Sequence, residues 1–124
     1  MTQVQNATGA YYISPLQVIT AAGSLTLAHG LPVAPGIVLV HLQCITAELN
    51  YSVGDIVVAS PSSKGNNQGI SIVMDAMNLH IRYGSGVAAG GGTPVYSIID
   101  KTTGNTSGIT NANWKMIFRA GIVV

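Results

Sequence analysis

The chain holds 124 residues in 12.7 kDa, the size of one ordinary domain and enough to bury most of the surface its unfolded form exposes. Charged residues make up 7% and hydrophobic residues 48%, whereas a typical domain is about 25% charged. A free monomer so poor in charge would present an apolar patch to water, so neighbouring subunits are expected to cover part of the surface. The formal net charge of +1, with Lys64, Arg82, Lys101, Lys115 and Arg119 scattered along the chain, provides no basic stripe and argues against a nucleic-acid partner.

Gly, Pro, Asn or Ser interrupts every apolar stretch before it reaches the roughly 20 residues of a membrane-spanning helix, so no membrane association is expected. Met1 to Ala10 lacks the basic segment and apolar core of a secretory signal, which points to folding where the chain is made. Cys44 stands alone, which excludes an intramolecular disulfide and suggests a buried thiol in a reducing cytosol.

In chain order, residues 1–15 read as an N-terminal arm and residues 16–124 as one sandwich domain. Tyr11 and Tyr12 stand in this polar arm, where aromatics need a surface to pack on; the arm either docks on a partner or folds back on its own sandwich. Leu16 to Ile19 suggests a first strand, and Leu25 and Leu27 alternate with Thr26 and Ala28 as a second. In Ile37 to Cys44, one face carries Val38, Val40, Leu42 and Cys44, while Ile37 and Leu39 begin the other. This segment is expected to be buried on both sides, as a central or interface strand.

Ile56 to Ala59 is a shorter strand of the same kind. Ile70, Ile72 and Met74 alternate with Ser71, Val73 and Asp75. Met77, Leu79, Ile81 and Tyr83 then share a face opposite Asn78, His80 and Arg82. Val95 to Ile99 follows, and Trp114, Met116, Phe118 and Ala120 close the series against Lys115, Ile117 and Arg119. This period of two marks half-buried strands, and no stretch carries a capped helical stripe. Gly-, Pro- and Asn-rich clusters separate the runs at sandwich spacing. About eight strands therefore predict an all-β fold, an antiparallel β-sandwich of jelly-roll-like form.

Titratable residues are sparse. Asp55 beside Gly54 and Asp100 after Ile99 look like turn residues that bond local amides. His41 and Cys44 are three apart on a strand and point to opposite faces, so they do not form a metal pair. His29 before Gly30 reads as a turn residue. No nucleophile elbow or phosphate cradle occurs, so neither catalytic residues nor a metal or other cofactor are assigned. The sequons at Asn6, Asn50 and Asn105 reflect an Asn-, Ser- and Thr-rich composition. Trp114 reads as a core residue whose indole N–H reaches a loop carbonyl.

The candidate subunit or shell interface comprises Tyr11, Tyr12, Ile37, Leu39, His41, Asn78, His80 and Arg82. The last three form a polar face that either meets its own copies around a symmetry axis or stays solvated. Candidate contact loops are Pro61 to Gly69, with Lys64, Asn66 and Asn67, and Gly84 to Pro94, with Gly84, Gly86, Gly90 and Gly91. The second loop is glycine-rich and is expected to be flexible in isolation.

The stretch His29-Gly30-Leu31 through Pro35, the run Ile37 to Glu48, Tyr51-Ser52-Val53-Gly54-Asp55 and the ending Thr110-Asn111-Ala112-Asn113-Trp114-Lys115 together resemble a small β module of tailed-phage virion proteins. The resemblance covers roughly residues 24 to 120 and rests on order and spacing. It implies a structural or adhesive role in the virion, on the capsid or in a tail fibre. Trimers are common among such modules. Expected partners are further copies of the chain, other virion proteins such as the shell or tail, and, for a fibre tip, a host receptor. The chain lacks the shaft of a long fibre, which suits an accessory protein added in many copies.

Overall fold

The computed structural model describes residues 11–60, 63–65, 67–86 and 94–122. Among these, the strands are β1 (Tyr11–Ile13), β2 (Gln17–Val18), β3 (Ser24–Ala28), β4 (Ile37–Cys44), β5 (Ile56–Ala59), β6 (Ser63–Lys64), β7 (Gln68–Met74), β8 (Asn78–Tyr83), β9 (Ser97–Ile99), β10 (Thr106–Gly108) and β11 (Trp114–Gly121). One 3-10 turn, Asn111–Asn113, precedes β11. The fold is an antiparallel β-sandwich. One sheet has the order β1-β11-β4-β5, with β2 also on β11; the other has the order β3-β8-β7-β6; and β9 and β10 form a separate hairpin.

The connectivity passes back and forth between the two sheets. β1 lies beside the last strand, β3 crosses to the second sheet, and β4 returns to the first beside β11. β4 pairs with β5 in the first sheet, and β6, β7 and β8 follow one another through the second. Every segment predicted as a strand contains one. The three strands not predicted, β1, β6 and β10, are short and lack an apolar stripe.

Tyr11, Tyr12 and Ile13, within the segment read as an arm, pair with Gly121, Ala120 and Arg119. From Tyr11 onward the chain folds back on its own sandwich. Between β1 and β2, Ser14, Pro15 and Leu16 oppose only Phe118 and Ile117, making a bulge. The buried Ser14 completes the ladder there. Its N–H donates to the Phe118 carbonyl at 2.8 Å, and its Oγ accepts from the Phe118 N–H at 2.9 Å.

The core lies where the inner faces meet. Val40, Leu42, Cys44, Trp114, Met116 and Phe118 face Leu79, Ile81 and Tyr83. Two expectations need correction. Met77 belongs to the turn before β8 and is 72% exposed. β4 is buried on one side only: Ile37 is 51% and Leu39 47% exposed, because among the described residues no layer covers the outer side of its sheet.

Candidate binding surfaces

Opposed residues on antiparallel strands project to the same side, so the register fixes what each sheet shows to solvent. On the outer face of the first sheet, Tyr11, Gly121 and Ile37 form one row, and Ile13, Arg119 and Leu39 the next. Ile117, His41 and Val58 form a third, and Val18, Lys115, Gln43 and Ile56 a fourth. Apolar flanks therefore border a polar stripe. Tyr11, Ile13, Val18, Ile37, Leu39, Ile56 and Val58 are all exposed. Together they make this face richer in exposed apolar side chains than the outer face of the second sheet.

Within the stripe, Arg119 Nε donates to His41 Nδ1 at 3.0 Å, and Arg119 Nη1 donates to the Tyr11 hydroxyl at 3.3 Å. Tyr11, Ile37, Leu39 and His41, four of the candidate interface residues, thus share one surface. Tyr12 does not join them. It lies on the inner side of β1, packed against the core, where burial pushes its hydroxyl pKa up.

The second sheet shows a different outer face. Ser24, Arg82 and Ser71 form one row, Thr26, His80 and Val73 another, and Ala28 with Asn78 the last. Asn78, His80 and Arg82 therefore do share a face, on the opposite side of the molecule from Leu39. Each is held locally. Asp75 accepts from the Met77 and Asn78 N–H groups at 2.9 and 2.7 Å and pairs with His80 at 2.8 Å. These bonds hold the Asp75 carboxyl well below its usual value, at about 2, the backbone amides doing most. Arg82 donates to the Ala22 carbonyl at 2.8 Å.

The candidate loops converge at one end of this second sheet. Asn67, Gln68, Ser71, Arg82, Gly84 and Ser85 border an open concavity of about 770 Å³. Two hydrogen bonds tie the loops: Gly86 N–H to the Asn67 carbonyl and Gly84 N–H to the Gly69 carbonyl, both 2.9 Å. Gly84 is required by this approach, since a Cβ there would collide with the Asn67 carbonyl. Tyr83 also borders the concavity, and its hydroxyl is buried without a hydrogen-bond partner. Lys64 lies on β6; Asn66, Gly90 and Gly91 fall outside the described residues.

The turn after β4 and the segment entering β11 meet around Glu48. Leu49 and Asn50 both have positive φ, 52° and 64°, as a type I′ turn requires. The turn sets Glu48 opposite Tyr51 and aims both at Trp114. Glu48 Oε2 accepts from the Thr110 N–H at 2.7 Å and from Trp114 Nε1 at 2.8 Å. Its Oε1 accepts from Asn113 Nδ2 at 2.8 Å, and Tyr51 meets the Trp114 ring edge-on, centroids 5.5 Å apart. The indole thus binds a carboxylate rather than the expected loop carbonyl. Burial pushes the Glu48 pKa up, but these donors outweigh it and lower the net value. Sequence reading gave Glu48 no such role, since its partners lie more than sixty positions away.

Asp55 and Asp100 behave as turn residues. Asp55 accepts from the Ser52 N–H at 3.0 Å and pairs with Lys101 at 2.9 Å. Asp100 accepts from the Thr102 and Thr103 N–H groups, each at 2.9 Å, and from Asn50 Nδ2. His29 is buried beyond a simple turn role: its Nδ1 accepts from the Leu31 N–H at 3.0 Å, so Nε2 carries the proton to the Asp75 carbonyl at 2.9 Å. Cys44 is buried on the inner side of β4, opposite His41, and burial raises its thiol pKa. Among the described residues no three His, Cys, Asp or Glu side chains gather as metal ligands. No family model matches the chain, and no curated protein matches it in sequence.

Proposed function

We propose that this chain is a non-enzymatic structural protein of a tailed-phage virion, a homotrimeric capsid decoration or cement protein. Its activity is the formation of interfaces: copies bind one another and the particle, and burial of apolar surface stabilises the assembly. The observation that carries this reading is the outer face of the first sheet, where Tyr11, Ile13, Val18, Ile37, Leu39, Ile56 and Val58 are all exposed on one side. The trimer and the virion rest on the phage resemblance. Sedimentation of the purified chain should give a trimer at micromolar concentration, and antibody labelling of purified particles should place it on the capsid. A stable monomer, or particles without the chain, sinks the proposal.

A second reading is a tail-fibre or spike tip module that binds a host receptor. The concavity between the Asn67 and Gly84 loops favours it, because loops carried on a rigid sandwich are a common location for recognition. Binding of the purified chain to host cells or their polysaccharide, reduced by Arg82→Ala, supports this reading. Binding to particles alone supports the first.

A further inference from the structure

We infer that the outer face of the first sheet docks on a protein other than a second copy of this chain, one whose surface carries carboxylates among apolar side chains. The inference rests on the virion reading and assigns this face its partner there.

The first argument is charge. The four rows of the face contain Arg119 and Lys115 and no carboxylate. Two copies packed face to face would bring these cations together without a counter-charge, which disfavours such a contact. Nor does another part of the chain supply one. It has four acidic residues, and all are engaged: Glu48 with Thr110, Asn113 and Trp114, Asp55 with Lys101, Asp75 with His80, and Asp100 with Asn50 and the following amides. The segment before Tyr11 has no acidic residue.

The second argument is hydrogen-bond polarity. His41 Nδ1 accepts from Arg119, so a neutral His41 carries its proton on Nε2 and offers another donor. The Tyr11 hydroxyl accepts from Arg119 and has its own proton left to donate. The Lys115 ammonium and the remaining guanidinium N–H groups of Arg119 add donors. The side-chain acceptors left among these residues are the Gln43 carbonyl and the second lone pair of the Tyr11 hydroxyl, fewer than the donors. A donor-rich face fits an acceptor-rich partner, and guanidinium with carboxylate is the strongest such pairing.

The test uses phage carrying a nonsense mutation in this gene, grown in cells that supply the chain from a plasmid as wild type, Lys115→Glu/Arg119→Glu or Lys115→Gln/Arg119→Gln. Copies of the chain per purified particle are counted by quantitative mass spectrometry, and each variant is sedimented alone. The inference expects wild type on the particle, at least tenfold fewer copies of the Glu variant, an intermediate number for the Gln variant, and unchanged sedimentation for both. Wild-type incorporation with equal loading of the Glu variant overturns the inference, as does a folded Glu variant that has lost self-association. Failure of the wild type to enter particles overturns the virion reading itself.

Discussion

The two outer faces of the sandwich obey the same alternation rule and present opposite chemistry. On the first sheet, the residues that point away from the core include Ile13, Ile37, Leu39, Ile56 and Val58. On the second they are Ser24, Thr26, Ser71, His80 and Arg82, with Val73 among them. The second face is what a solvated antiparallel sheet normally shows; the first leaves more apolar side chains exposed, around the polar stripe of Arg119, His41, Lys115 and Gln43, and the proposed function gives that surplus a partner.

The largest effect should come from the shared interior, which sets the scale for both outer faces. Phe118→Ala, on the inner side of β11, is expected to lower unfolding free energy by about 3–5 kcal/mol, measured in urea. Arg119→Ala, one position along and on the outer side, should cost under about 1 kcal/mol. Equal losses would mean that the outer side is packed within the protomer.

Next in size is the carboxylate that ties the turn after β4 to the segment entering β11. Glu48→Gln keeps the shape but places an amide where three donors converge, leaving at least one without an acceptor; a loss of about 2–3 kcal/mol is expected. A change within experimental error would mean that Glu48 does not hold the turn at Leu49 and Asn50 against Trp114.

Acid should act in the same direction. The carboxyls of Glu48, Asp55, Asp75 and Asp100 all have pKa values lowered in the fold. A lowered folded value means stability that is complete above the unfolded value, near 4, and lost as pH falls through the folded one. The thermal midpoint should therefore be flat from pH 7 to about 5 and fall from about 4 toward 2. A midpoint that rises on acidification over that window contradicts the hydrogen-bond assignments.

The smallest effect on the protomer is the sharpest comparison of the faces. Val58 is 73% exposed on the first sheet and Val73 59% exposed on the second. Val58→Thr and Val73→Thr should each shift protomer stability by less than about 0.5 kcal/mol. Only Val58→Thr should weaken attachment to the particle. If the two valines behave alike in particle binding, the faces do not differ in function.

Reading the sequence recovered the long strands because each buries one side chain in two, and that period survives in Trp114 to Ala120 and in Leu79 to Tyr83 whatever the partner. It missed Tyr11–Ile13 and Thr106–Gly108, whose pairing depends on strands distant or weakly patterned in sequence. It also placed Met77 inward, since alternation alone does not tell where a turn ends. The candidate interface was legible in part: Ile37 and Leu39 stood out as surplus apolar residues. Tyr12 was not separable from Tyr11 until the register with Gly121 and Ala120 put them on opposite sides.

By itself, the sequence determined the all-β class, the strand positions and the shortage of charge, because these follow from local alternation and composition. Tertiary structure decided which surplus apolar residues come together, that Asn78, His80 and Arg82 lie on the far side from them, and that Glu48 closes on Trp114. Those outcomes depend on strand order and register between segments tens of residues apart, where one step of slippage would exchange inside for outside.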